Sequence, residues 1–210
     1  MRACSRSGQR DILALALAAS IALTVTAAWA GAPTDQLRSS VDQVIRLLQG
    51  TAPAGNARRV ALLRAIEPRF DLVEMARRAL GRYWRDRTDR EREQFVALFG
   101  ELLRRAYLTR IEAYAGERVD YTGETVDGDY ATVRTRIETR HDADIPVTYR
   151  MIRRGDDWLV YDVLVEGVSL VENYRAQFNT IIETSSYAEL VTKMSAKLHE
   201  EEQPRDRANS

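Results

Sequence analysis

Between Trp158 and Arg175 the chain reads WLVYDVLVEGVSLVENYR, and this stretch constrains the fold more than any other. Val160, Tyr161, Val163, Leu164 and Val165 put apolar side chains on both faces of one strand. A strand with so little polar alternation is usually covered on both sides. Glu166-Gly167 breaks the run, after which Leu170, Tyr174, Phe178 and Ile181 return at helical spacing. The strand and the helix after it are expected to form one wall of an apolar chamber. Whether side chains or a ligand fill that chamber is the functional question.

The N-terminus carries Arg2, Arg6 and Arg10, then the apolar run Ile12 to Val25, then Ala28-Trp29-Ala30. This is the pattern of a secretory signal peptide, residues 1–30, cleaved after Ala30. The run falls short of the roughly 20 apolar residues that a membrane span needs. Cys4, the only cysteine, precedes it, so the exported chain is expected to have no disulfide and to depend on an ordinary core. Cleavage would remove three of 31 basic and one of 31 acidic residues, leaving 28 and 30. That balance argues against nucleic acid and gives no strong net-charge reason to bind an anionic membrane. No later apolar run approaches membrane length, so no stable membrane insertion is expected. Residues 31–199 are expected to be a single domain with a sizeable core, and 200–210 a charged, disordered tail.

Helical periodicity dominates the first half. Pro33-Thr34-Asp35 opens a helix whose apolar face ends near Gly50, and Ala57 to Ile66 gives a second after the TAPAGN loop. Phe70-Asp71 reads as a staple residue and an N-cap before a helix over Leu72 to Leu80, with Gly81 closing it. Thr88-Asp89-Arg90-Glu91 is a capping box for a long helix carrying Phe95, Phe99, Leu103 and Tyr107. After Gly116 the period changes to two. Strands are expected from Val119, over Tyr130 to Thr139, over Ile145 to Met151, and at the opening stretch, with Asp127-Gly128-Asp129 as a hairpin turn. Two helices, from Ser169 and from Tyr187 to His199, end the chain. The fold class is therefore α+β: a curved antiparallel sheet of about four strands, its concave face covered by helices, enclosing an apolar pocket.

Little catalytic chemistry is legible. His141 and His199 are the only histidines and no metal-ligand spacing exists, so neither a metal nor a cofactor is expected. No glycine-rich phosphate loop follows a strand. Ser169 stands at a strand-to-helix turn but lacks the second glycine of G-x-S-x-G, and reads as a helix cap. Asp162 and Glu166 are either rim charges or a pocket acid–base pair. The stretch RYWRDRTDRER, Arg82 to Arg92, offers Arg82, Arg85 and Arg87 for docking on a phospholipid headgroup or acidic partner. Its own Asp86, Asp89 and Glu91 fit a solvated face equally well. Three functions stay open on these residues: a passive apolar carrier, an enzyme using Asp162 or Glu166, and an envelope adaptor that binds no lipid.

The blocks FDLVEMARRALGRYWRD (Phe70 to Asp86), Phe95 to Tyr107, IPVTYRM (Ile145 to Met151) and VYDVLVEGVSLVENYRAQF (Val160 to Phe178) resemble the MlaC, or toluene-tolerance auxiliary, family. The resemblance implies a monomeric periplasmic phospholipid carrier that is not an enzyme, with an NTF2-like shape. It also implies partners: an inner-membrane Mla transporter complex and an outer-membrane lipoprotein–porin complex, between which lipid passes to maintain outer-membrane asymmetry. The acyl chains are expected between a sheet face (Val133, Ile137, Val147, Tyr149, Met151, Val163, Val165) and helix faces carrying Phe95, Phe99, Leu103, Tyr174 and Phe178. A one-residue register error would exchange the two sheet faces.

Overall fold

The computed structural model describes residues 32–50, 55–114, 116–138 and 144–200. The signal-peptide reading, His141 and the tail beyond Glu200 lie outside these residues. Helices α1 (Pro33–Gln49), α2 (Asn56–Ile66), α3 (Leu72–Leu80) and α4 (Asp89–Glu112) precede the sheet. Strands β1 (Arg118–Asp127), β2 (Tyr130–Glu138), β3 (Ile145–Arg154), β4 (Asp157–Val165) and β5 (Val168–Ser169) follow, and α5 (Leu170–Thr184) and α6 (Tyr187–Glu200) close the chain.

The strand order is the sequence order, and every neighbouring pair is antiparallel. A meander needs only short connections, and among the described residues Gly128-Asp129, Gly155-Asp156 and Glu166-Gly167 supply three of the four as tight turns. The last turn corrects the expected strand number. Glu166 (φ 52°) and Gly167 (φ 82°) are both left-handed, as a type I′ hairpin requires. The chain therefore doubles back, pairing Val165 with Val168 and Leu164 with Ser169 as a two-residue fifth strand.

Local signals account for the helix boundaries. Asp71 accepts the Glu74 amide at 2.9 Å and starts α3. Thr88 and Glu91 form the reciprocal capping box of α4. Ser169 accepts the Glu172 amide at 3.0 Å, which makes it the N-cap of α5. A turn of 3-10 helix, Gly81–Trp84, links α3 towards α4.

The apolar interior has two parts. One is a helical cluster built from Met75, Leu80, Phe95, Phe99, Phe178 and Leu190 with their neighbours on α3, α4, α5 and α6. The other lies on one sheet face, where Ala131, Val133, Met151, Trp158 and Val160 pack with Leu37 and Val41 of α1. Phe70 packs against both. Its backbone runs beside β4, bridged to Val160, and the Asp71 amide donates to the Val160 carbonyl at 2.9 Å. This pairing covers an edge of β4 that the short β5 leaves free.

Candidate functional site

All seven sheet residues expected to face the acyl chains share one face. Val133 pairs with Tyr149 and Tyr149 with Val163, while Val147 pairs with Val165, and directly opposed residues point the same way. Ala131 pairs with Met151, and Ile137 with Ile145, on the same alternation. The β4 residues stay in phase only because of a bulge. Arg150 opposes Asp162 and Met151 opposes Val160, so Tyr161 is the extra residue. Without it, Val160 and Val163 would point to opposite faces.

The helix residues expected opposite that face are elsewhere. Phe95 and Phe99 stack at 6.0 Å, and Phe178 meets them edge-on at 5.6 and 5.8 Å. Tyr174 meets Phe99 edge-on at 5.2 Å, and Leu103 packs against the same cluster. Phe95/Phe99 and Tyr174/Phe178 are i, i+4 pairs on facing helices, so each pair finds the other before either reaches the sheet. The sheet face is covered instead by α1 and Phe70. The two halves of the expected pocket lining are thus separate clusters that meet at Phe70.

Most buried polar side chains are partnered, although among the described residues Arg58 Nε, the Tyr121 hydroxyl and Asn179 Oδ1 are buried without a hydrogen bond. Asp162 is 2% exposed and is not the rim charge that its strand position suggested. It accepts from Ser169 Oγ at 2.7 Å, the Val171 amide at 3.1 Å and Arg150 Nη1 at 3.3 Å. The bulge turns it towards the start of α5, where a carboxylate fits the unsatisfied amides. Its oxygens brace that helix. Glu166 is exposed in the β4–β5 turn, so the two carboxylates form no acid–base pair. Glu74, 6% exposed, accepts from Arg77 and Arg78 at 2.6–2.8 Å. Burial pushes its carboxyl up, but the hydrogen bonds and charges of those arginines outweigh it and hold the group below its ordinary value. Burial pushes the Tyr149 phenol up to about 12.

The expected docking trio also divides. Arg87 bonds Glu91 at 3.1 Å and lies 4.4 Å over the Tyr187 ring, so it belongs to the joint between α4 and α6. Arg82 and Arg85 face a cleft of about 380 Å³ that Arg77, Arg78, Arg150 and Arg175 also line. A second cleft, of about 490 Å³, lies between Arg38 and Asp42 of α1 and Val119 to Tyr121 of β1. Among the described residues no three His, Cys, Asp or Glu side chains group as metal ligands. Among the same residues no helix is long and apolar enough to cross a membrane.

These features define an α+β protein in which one face of an open sheet and a helical ring cluster are joined at an aromatic seam. In fold it is similar to the phospholipid-binding protein from Ralstonia solanacearum, solved in complex with a phospholipid. The TM-score is 0.73 and the identity 24%, over 80% of this chain and 97% of that one. The sequence profile described as MlaC protein matches residues 38–196, and the chain belongs to the MlaC family. The intermembrane phospholipid transport system binding protein MlaC of Haemophilus influenzae is 26% identical over 132 residues. That match spans 60% of this chain and 62% of the relative's length.

Proposed function

We propose that this protein is a periplasmic phospholipid carrier that shields acyl chains while lipid moves between outer-membrane and inner-membrane Mla complexes. The observation that carries this reading is the unbroken apolar sheet face from Val133 through Tyr149 to Val163, in a fold similar to that of a phospholipid-bound protein. The name of the H. influenzae relative, a binding protein of intermembrane phospholipid transport, supports the same reading. Exposing two long acyl chains to water costs on the order of 20 kcal/mol, at roughly 0.8 kcal/mol per CH₂. An apolar protein interior lowers that barrier without covalent chemistry. In this proposal the tails lie along the sheet face, and the seam at Phe70 parts so that Phe95, Phe99, Leu103, Tyr174 and Phe178 become the facing wall. Direction then comes from the partners' relative affinities for lipid.

Tryptophan quenching tests the placement. Trp158 belongs to the sheet cluster and Trp84 packs against the helical cluster. Phospholipid brominated on its acyl chains should quench Trp158 strongly in a Trp84→Phe variant. Lipid that binds without quenching Trp158 would place the tails elsewhere, and no bound lipid at all would remove the carrier reading.

A further inference from the structure

The arginine-lined cleft has a composition that core packing does not explain. It is assembled from the end of α3, the turn after it, β3, β4 and the first turns of α5. Four of its six arginines are committed. Arg77 and Arg78 hold Glu74, Arg82 reaches Glu183 at 2.7 Å, and Arg150 holds Asp162. Arg85 and Arg175 have no carboxylate within 4.0 Å among the described residues. The Arg175 guanidinium lies directly on Gly81, whose φ is +60°. A Cβ there would stand 2.9 Å from Arg175 Nε. A left-handed, side-chain-free residue thus makes room for a guanidinium that has no counter-ion among the described residues.

Charge at the end of α3 accounts for only part of this. Arg77 and Arg78 suit a helix C-terminus, but Arg85, Arg150 and Arg175 come from other elements. The amides at the start of α5 would favour an anion, yet Asp162 already holds the Val171 amide. An incoming anion meets guanidinium donors, and the two carboxylates that share the lining, Asp162 and Glu172, both lie on the Arg150 side of it. The floor beside them is apolar: Val171 belongs to the helical cluster, and Trp84 and Tyr161 pack against it. Unspent arginine donors next to the edge of an apolar core match a group that is anionic at one end and greasy at the other. The size of the cleft suits a small molecule and is too small for a helix of a partner.

We propose that this cleft is a phosphoryl-binding site in which Arg85 and Arg175 take the oxygens of a phosphate group, with the Asp162-paired Arg150 beside them. The group is either the headgroup of an amphiphile or free phosphate. The headgroup source rests on the carrier reading, whereas the site itself does not.

The test follows the arginine Nε–H resonances of the protein by NMR after co-purified lipid has been removed by detergent exchange, with affinities from calorimetry. The probes are inorganic phosphate, glycerol 3-phosphate, dihexanoyl-phosphatidylglycerol below its micellar concentration, and hexaglutamate. Saturable shifts of Arg85, Arg150 and Arg175 with glycerol 3-phosphate are expected. Affinity should fall tenfold or more in Arg85→Gln/Arg175→Gln and stay unchanged in Arg64→Gln, a variant at an exposed position on α2. Dihexanoyl-phosphatidylglycerol binding at least tenfold tighter than glycerol 3-phosphate assigns the headgroup source. Equal affinity for inorganic phosphate and the lipid assigns free phosphate. Unmoved wild-type resonances overturn the site, and so does hexaglutamate binding more tightly than every phosphoryl probe. Lipid extracted from the same preparation separates the two readings. Lipid present with silent resonances removes the site alone, whereas phosphate binding with no lipid present or taken up removes the carrier reading alone.

Discussion

Single residues carry stability here through burial and charge pairing. Replacing Asp162 by Ala leaves Arg150 only its 3.9 Å contact with the exposed Glu172 and strips a bond from the N-cap Ser169. Breaking such a pair costs up to 3–5 kcal/mol when both charges are buried. Arg150 keeps 38% of its side chain in solvent, so a loss of about 2–3 kcal/mol in urea unfolding is expected. A loss below about 0.5 kcal/mol would show that Asp162 braces nothing. Glu74 gives a pH signature. Its folded carboxyl sits below the ordinary 4.5, so its contribution is present above that pH and lost as pH falls through the lower folded value. The stability gap between wild type and Glu74→Gln should therefore close in acid. Tyr149 acts at the other end. With its phenol raised from 10 to about 12, its contribution is complete below pH 10 and disappears as pH rises towards 12. Ultraviolet titration of wild type against Tyr149→Phe should show one tyrosine ionising late. At Glu166 (φ 52°), substitution by Asn should stabilise by about 0.5–1 kcal/mol, because Asn tolerates the left-handed region better.

At the scale of elements, the caps were the most legible features. Asp71, Thr88 with Glu91, and Ser169 act where local sequence alone decides, since each bonds an amide three residues away. The sheet face was legible too, because period-two alternation marks Val133, Val147, Tyr149 and Met151 directly. The bulge at Tyr161 was not. It depends on how β4 meets β3, and it decides that Asp162 is buried rather than at a rim. Helix partnering was also hidden. Amphipathic α1 and α4 each announce an apolar face, but nothing local says that Leu37 meets the sheet while Phe95 meets Phe178. The arginine cleft was visible only in part. Arg82 and Arg85 stand in a conspicuous run, whereas Arg150 and Arg175 come from remote elements. Among the described residues Phe70 alone belongs to both clusters, and because it is only half-buried Phe70→Ala should cost about 2–3 kcal/mol, less than the roughly 3–5 kcal/mol of a fully buried Phe. It should also speed lipid exchange in a vesicle-transfer assay. Unchanged exchange in a folded variant would mean that lipid does not pass through the seam.

At the level of the whole molecule, the apolar interior is divided between a sheet face and a helical ring cluster that meet at Phe70. In the proposed function these two clusters part to hold lipid tails. The buried carboxylates serve structure, as Asp162 and Glu74 each engage more than one donor. Native mass spectrometry of the protein as purified from a Gram-negative host shows directly whether this interior holds lipid. A carrier should give a polypeptide carrying the mass of one phospholipid, released by organic solvent and regained on incubation with vesicles. A bare polypeptide mass that stays bare after incubation would contradict the carrier reading.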